Sequence, residues 1–245
     1  MTNQYGLTRH IPTEVKRVVR RRCRFGCVIC GLGVYDYEHI DPEFKDAKDH
    51  DPDQIALLCP SCHAKVTRGQ WSKDKIKAAL QSPKAAEAGY AKEFFDFTGG
   101  HPEVIFGGNT LRNCRVPIMV HGAPLISITP SEDPGAPFEL SANFSDRFGA
   151  PTLAIENNEW RVWNDNWDVE VKGPCITIVS RNRDSSLRLR ALPPNALAVE
   201  QLEMSLGAYR FSCTPERLVV HMQAGGTLDF SRNIMDGCAV GLALG

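Results

Sequence analysis

At 245 residues, 42% of them hydrophobic and 23% charged, the chain has an ordinary globular composition and room for two modest domains. A net charge of −1 excludes a protein coated in basic residues, and no run of about 18 apolar residues is present that could cross a membrane. No signal-peptide pattern opens the chain, so the expected location is the cytoplasm, without a membrane partner.

The charge average conceals a split. Residues 1–98 carry 16 Lys plus Arg against 13 Asp plus Glu, whereas residues 99–245 carry 12 against 16. Contact with nucleic acid therefore belongs to the first half. Residues 1–10 read as a polar tail. Pro12, Thr13 and Glu14 then start a helix whose apolar face is Val15, Val18 and Val19, with Lys16, Arg17, Arg20, Arg21 and Arg22 around it and Arg24 just beyond. So dense a basic run suits a helix that grips phosphates, since backbone contacts supply most non-specific affinity for nucleic acid; a solvated helix packed on its neighbour is the plainer alternative.

Two Cys-x-x-Cys pairs follow, Cys27/Cys30 and Cys59/Cys62, with 28 residues between them. Each supplies two thiolates from one tight turn, and together they can close the tetrahedral shell of a structural zinc. The remaining cysteines, Cys23, Cys114, Cys175, Cys213 and Cys238, are scattered singly and read as buried small hydrophobes. Between the pairs, Val34–Ile40 alternates as a strand and Ile55–Leu58 is a short apolar second strand. Pro60 then stands where the first turn of a helix tolerates proline.

These residues resemble the HNH endonuclease family, whose pattern is a cysteine knuckle, an acidic-His-Ile-x-Pro stretch and a Leu-Cys-x-x-Cys-His close. Here they read Cys27-Val28-Ile29-Cys30-Gly31, Glu38-His39-Ile40-Asp41-Pro42 and Leu58-Cys59-Pro60-Ser61-Cys62-His63, and the resemblance covers residues 11–69. It implies a ββα-metal fold in which His39 is the general base, while Glu38 and His63 hold one catalytic divalent ion, Mg2+ or Mn2+. Neighbouring strand residues face opposite sides, so Glu38 and His39 can serve one site only if the strand ends or bends there, as Asp41-Pro42 suggests. One departure stands out. The family's usual Asn, five positions before the third cysteine, is Gln54, which keeps the amide but adds a methylene; His50, in the same loop, reads as an ordinary solvated histidine.

After His63, Lys65 and Arg68 keep to one side of a short helix and complete the expected nucleic-acid contacts with Arg20, Arg21, Arg22 and Arg24. A helix from Trp71 to about Leu80 follows, with Trp71 in the core, then another over Pro83–Phe97 with Tyr90, Phe94 and Phe95 on its apolar side. Gly99-Gly100 marks the domain boundary. From Val104 onward, short alternating runs separated by Gly, Pro, Asn and Asp suit a β sandwich or roll, with a β-helix as the competing architecture. Trp160, Trp163 and Trp167 read as hairpin residues that fill its core.

The sequence thus reads as an α+β chain: residues 1–98 an HNH nuclease domain stapled by zinc, residues 99–245 a β-rich domain for sensing, targeting or oligomerisation. The expected activity is metal-dependent hydrolysis of DNA phosphodiester bonds, with a defence or restriction role in view. A regulatory ligand or protein, or a second copy of the chain, would act through the C-terminal domain. The alternative is a zinc-stabilised nucleic-acid-binding module without catalysis.

Overall fold

The computed structural model describes residues 2–98, 100–133 and 135–245. It divides into two compact units, Met1–Glu93 with Val162–Val171, and Phe94–Arg161 with Lys172–Gly245. Few helices and many strands give the expected α+β class with a β-rich C-terminal part. Gly99, half of the glycine pair expected at the boundary, lies outside the described residues.

The first unit is built from α1 (Thr13–Arg22), β1 (Asp36–His39), a 3-10 turn (Pro52–Gln54), β2 (Ile55–Leu58), α2 (Pro60–Thr67), α3 (Lys73–Gln81), α4 (Lys84–Ala88) and β3 (Tyr90–Phe94). β2 is the centre. All four of its residues are buried, because Ile-Ala-Leu-Leu is apolar on both faces of the strand and needs cover on both. It pairs antiparallel with β1 in a register that sets Glu38 opposite Ala56 and His39 opposite Ile55. Val19, Val28, Ile40, Val66 and Ile76 pack in the same cluster, and Trp71 lies against it partly buried. Each such side chain taken fully out of water stabilises the fold by about 1.5–3 kcal/mol.

Three expectations are corrected. The helix expected over Pro83–Phe97 stops at Ala88, because Gly89 takes a left-handed φ of 85° and returns its N–H to Ala85 O at 3.0 Å. Tyr90 then begins a strand, so Phe94 and Phe95 alternate, 61% against 8% exposed, instead of sharing a helix face. Residues 2–10 are no free tail: Asn3 Nδ2 donates to Phe44 O and Ala47 O, both at 2.6 Å, and Gln4 Nε2 donates to Asp46 Oδ1 at 2.9 Å. The loop after β1 offers carbonyls, and the N-terminal segment supplies donors to them.

The third correction concerns α1. Val19 is buried, but Val18 is 48% exposed, and the residue that turns inward beside Val19 is Arg20, 1% exposed. Its partner comes from the segment Val162–Val171. Arg20 Nε donates to Asp168 Oδ1 at 2.8 Å and its terminal nitrogens reach Asp168 Oδ2, Tyr37 Oη at 3.0 Å and Glu170 Oε1 at 3.1 Å. Burial alone would lower the guanidinium's pKa, and Asp168 and Tyr37 together more than reverse that, so the pKa is raised. The segment is held further by Tyr35 Oη on Val169 O at 3.3 Å, by Asn164 Nδ2 on Ala85 O at 2.6 Å and by Arg17 stacked 4.6 Å above the Trp167 ring. A stretch read as part of the β-rich half is therefore part of the first unit.

In the second unit, six strands from Cys175–Val179 to Thr227–Phe230 pair antiparallel in chain order as a meander. A second run of antiparallel neighbours links Val116–Val120, Ala123–Thr129, Glu139–Ser145 and Pro151–Glu156. Sequential antiparallel pairing is that of a roll or sandwich; a β-helix would stack its coils in parallel. Val240–Leu244 returns to lie parallel to Val116–Val120. Of the three clustered tryptophans, Trp160 is buried in this unit, whereas Trp163 packs edge-on against Tyr90 in the first.

The buried ion pair makes a test. Asp168→Ala leaves the Arg20 guanidinium buried without its counter-charge and is expected to cost about 3–5 kcal/mol, read as a lower urea midpoint. Replacing both, Arg20→Leu with Asp168→Leu, is expected to recover most of that loss. A fragment of residues 1–98 lacks Asp168 and Glu170 and should melt below the full chain's first unit until Arg20→Leu is introduced.

Candidate active site and metal centre

The first knuckle is a turn from Cys27 to Cys30 closed by Gly31 N–H on Cys27 O at 2.8 Å, and Val28 N–H donates to Leu57 O at 3.0 Å, which ties it to β2. Gly26 permits the approach, since a Cβ there would meet Gly31 O at 2.7 Å. The second knuckle begins where β2 ends: Cys59 caps α2 and its sulfur accepts from Cys62 N–H at 3.4 Å, with Pro60 at the first helical position. The ligand atoms of Cys27, Cys30, Cys59 and Cys62 all lie within 4.8 Å of one another. Cys30 Sγ is 3.6 Å from Cys59 Sγ and 3.9 Å from Cys62 Sγ. Sulfurs at the corners of a tetrahedron with bonds of about 2.3 Å stand about 3.8 Å apart, so the four residues fit a structural zinc. The thiol bond from Cys30 pulls Cys27 down to about 5, while burial pushes Cys62 up to about 12. Thiolates so close repel one another, and a divalent cation would stabilise all four together.

β1 carries two of the three expected catalytic side chains to its end. Glu38 Oε2 lies 2.9 Å from Nε2 of His63, which sits on the first turn of α2 directly after the last cysteine. Its other oxygen, Oε1, is taken by the ammonium of Lys73 from α3, which also donates to His39 O at 3.1 Å. His39 is the last residue of β1 and is 7% exposed; its ring packs against Phe44 and His50, the latter through His39 Nε2 and His50 Nδ1 at 3.1 Å. Burial, then the charge His50 can carry, lower the pKa of His39, which keeps its imidazole neutral as a base requires. Glu38, His39, His63 and Lys73 line one cleft of about 450 Å³, together with Arg9, Phe44 and Lys45. The strand end resolves the geometric problem: Glu38 turns to α2 and α3, His39 to the loop, and both reach the cleft.

Residues 27–69 match the model of the HNH endonuclease family. The match covers both knuckles, Glu38, His39 and His63, and it implies a nuclease or nucleic-acid-related role for this HNH segment. No curated protein and no solved structure matches the chain.

The six residues expected to touch nucleic acid fare unequally. Arg20 is removed from that set, buried on Asp168. Arg22 donates to Asp53 Oδ1 at 3.1 Å and to Ile55 O, which makes it a strut between α1 and the start of β2. Lys65 lies 4.6 Å over the Trp71 ring. Arg21, Arg24 and Arg68 are exposed. Gln54 contributes its backbone carbonyl, which accepts from Ile40 N–H at 2.8 Å and so terminates the hairpin. His50, read as solvated, faces His39 instead. Lys73 carried no signal except Ser72, the N-cap that starts α3 one residue before it. Arg9 and Phe44 carried none, since only the folded N-terminal segment brings them together, 4.6 Å apart in a cation–π contact.

Metal analysis of protein purified without added metal is expected to find about one zinc per chain. Structural zinc in finger peptides contributes roughly 10–16 kcal/mol, more than a domain's whole stability, so Cys27→Ser with Cys59→Ser should lose the zinc and unfold the first unit by circular dichroism. Retained structure in that variant would remove zinc from its structural role.

Proposed function

We propose that the protein is a metal-dependent endonuclease that hydrolyses DNA phosphodiester bonds. His39 is the general base, and Glu38 with His63 holds one divalent ion, Mg2+ or Mn2+. The observation that supports this most is the convergence of a carboxylate, two imidazoles and a lysine in one cleft beside the four-cysteine cluster. The donor set suits such an ion. Glu38 Oε2 and His63 Nε2 already adjoin, one hard oxygen and one imidazole nitrogen, with the cleft in front of them for water and phosphate oxygens. A bound divalent ion would polarise the phosphate and stabilise the charge that develops on the leaving oxygen. His39 takes the proton of the attacking water, a step its neutral, buried imidazole suits. Lys73 holds Glu38 Oε1, which keeps the carboxylate oriented with Oε2 toward His63. Arg9 and Lys45 line the cleft and would meet the substrate's phosphates, joined on the surface by Arg21, Arg24 and Arg68.

The reading assigns sensing, targeting or oligomerisation to the β-rich unit, a defence or restriction role to the whole, and a cytoplasmic location, where a reducing environment preserves the zinc thiolates. Among the described residues no helix is long and apolar enough to cross a membrane. A second reading, a zinc-stabilised nucleic-acid-binding module without catalysis, draws on one observation: the Lys73 ammonium already neutralises Glu38, as in a purely structural ion pair.

Supercoiled plasmid with Mg2+ or Mn2+ separates the two. Wild type is expected to nick and linearise it, and His39→Ala to keep its zinc and its DNA affinity while losing about 10²–10⁴-fold in rate. His63→Ala should also lose the exchangeable ion. Near-normal cleavage by His39→Ala would remove that residue from the role, and an inert wild type under both ions would favour the binding module. Neutralising Arg9 and Lys45 should flatten the salt dependence of DNA binding by roughly one unit of slope per contact, whereas Arg20→Leu should leave the slope unchanged.

A further inference from the structure

We propose that His50 is the positioning residue of His39: with the Thr8 carbonyl it fixes which imidazole nitrogen of His39 faces the attacking water. The inference rests on the general-base reading and deepens it. It starts from a hydrogen-bond chain with one open end. His50 Nε2 lies 3.0 Å from Thr8 O, and a carbonyl can only accept, so Nε2 carries the hydrogen. A neutral imidazole then offers Nδ1 as an acceptor, and His50 Nδ1 is 3.1 Å from His39 Nε2. His39 Nε2 must therefore donate. Its Nδ1 is left with a free lone pair, and among the described residues it has no hydrogen-bond partner, while the residue lines the cleft. That is the nitrogen that can take a proton from water.

The arrangement does three things for the base. It locks one tautomer, where a lone histidine exchanges between two. It holds the ring plane, with Phe44 packed at 5.4 Å between ring centres as the second restraint. It also strengthens during the reaction: once Nδ1 is protonated, the Nε2–H donor belongs to an imidazolium and its bond to His50 becomes charge-assisted. Thr8 can serve as the anchor because the segment that carries it is fastened to the same loop as His50, through Asn3 on Phe44 O and Ala47 O. The side-chain amide that the family pattern places at position 54 is here a glutamine whose backbone, not its amide, holds the strand end.

The test uses the full-length, zinc-loaded chain and an oligonucleotide duplex with Mn2+. His50→Leu fills the space without polar atoms; His50→Gln keeps an acceptor oxygen for His39 and a donor nitrogen for Thr8. Because His50 acts through His39 and not on DNA, His50→Leu is expected to lower kcat about 10–100-fold at unchanged KM, the usual cost of losing a partner that orients a functional histidine. His50→Gln should regain most of it. In the His39→Ala background, His50→Leu should cost nothing further. Long-range 1H–15N spectra give a readout apart from activity: in wild type, His39 should be the Nε2–H tautomer with a slowly exchanging ring N–H, and His50→Leu should lose that slow exchange. Wild-type kcat in His50→Leu, equal loss in His50→Gln and His50→Leu, or an Nδ1–H tautomer for wild-type His39 would each overturn the inference. Loss of cleavage in His39→Ala with none in His50→Leu overturns this inference alone; retained cleavage in His39→Ala overturns the general-base reading and this one with it.

Discussion

A hairpin of four residues a side cannot hold itself together in water, and this one lies between two turns whose four sulfurs come within 4.8 Å of one another, a set that fits zinc. One pair of cysteines belongs to a turn bonded to β2, the other pair to the helix that leaves β2, so closing the cluster fixes the angle between strand and helix. His63 follows the last of those cysteines by one residue, and Glu38 lies on the strand paired to β2. The 2.9 Å approach of Glu38 to His63 is thus inherited from the geometry of the sulfurs. Hydrophobic packing around Ile55, Leu57 and Leu58 then makes the same arrangement rigid.

Charge is placed by burial as much as by sequence. The run Arg20-Arg21-Arg22-x-Arg24 has the appearance of a uniform basic face, yet a helix turns each residue by 100°, and one of the run must face inward. Arg20 does, and the first unit meets it with a bidentate carboxylate, the geometry a guanidinium matches best. The cations that line the cleft come from elsewhere: Arg9 and Lys45 from the N-terminal segment and the loop it clasps, Lys73 from the start of α3. The site's electrostatics therefore depend on loops that the hairpin alone does not order.

Local pattern carried a good deal of the molecule. The cysteine spacing pointed to the four-cysteine cluster, since ligand spacing in a knuckle is a local property, and the residues that the family resemblance singled out, Glu38, His39 and His63, line one cleft. β2, α2 and α3 were legible within a residue or two from apolar runs and Pro60. The alternating runs of the second half became strands because period two is equally local. The Pro83–Phe97 helix failed at Gly89, where one left-handed residue outweighed the helical spacing of the aromatics around it.

What only the tertiary structure decided has a common physical reason: each case is a partner distant in sequence whose own neighbourhood gives no sign of it. Asp168 meets Arg20 across 148 positions, Thr8 meets His50 across 42, and Lys73 meets Glu38 across 35. A polar side chain must find a partner once buried, but nothing in its local pattern says which. The sequence by itself determined the two knuckles and most of the short elements around them. The fold chose the carboxylate that buries Arg20, the lysine on Glu38 and the histidine behind His39, because those choices are made by packing in three dimensions and not by spacing along the chain.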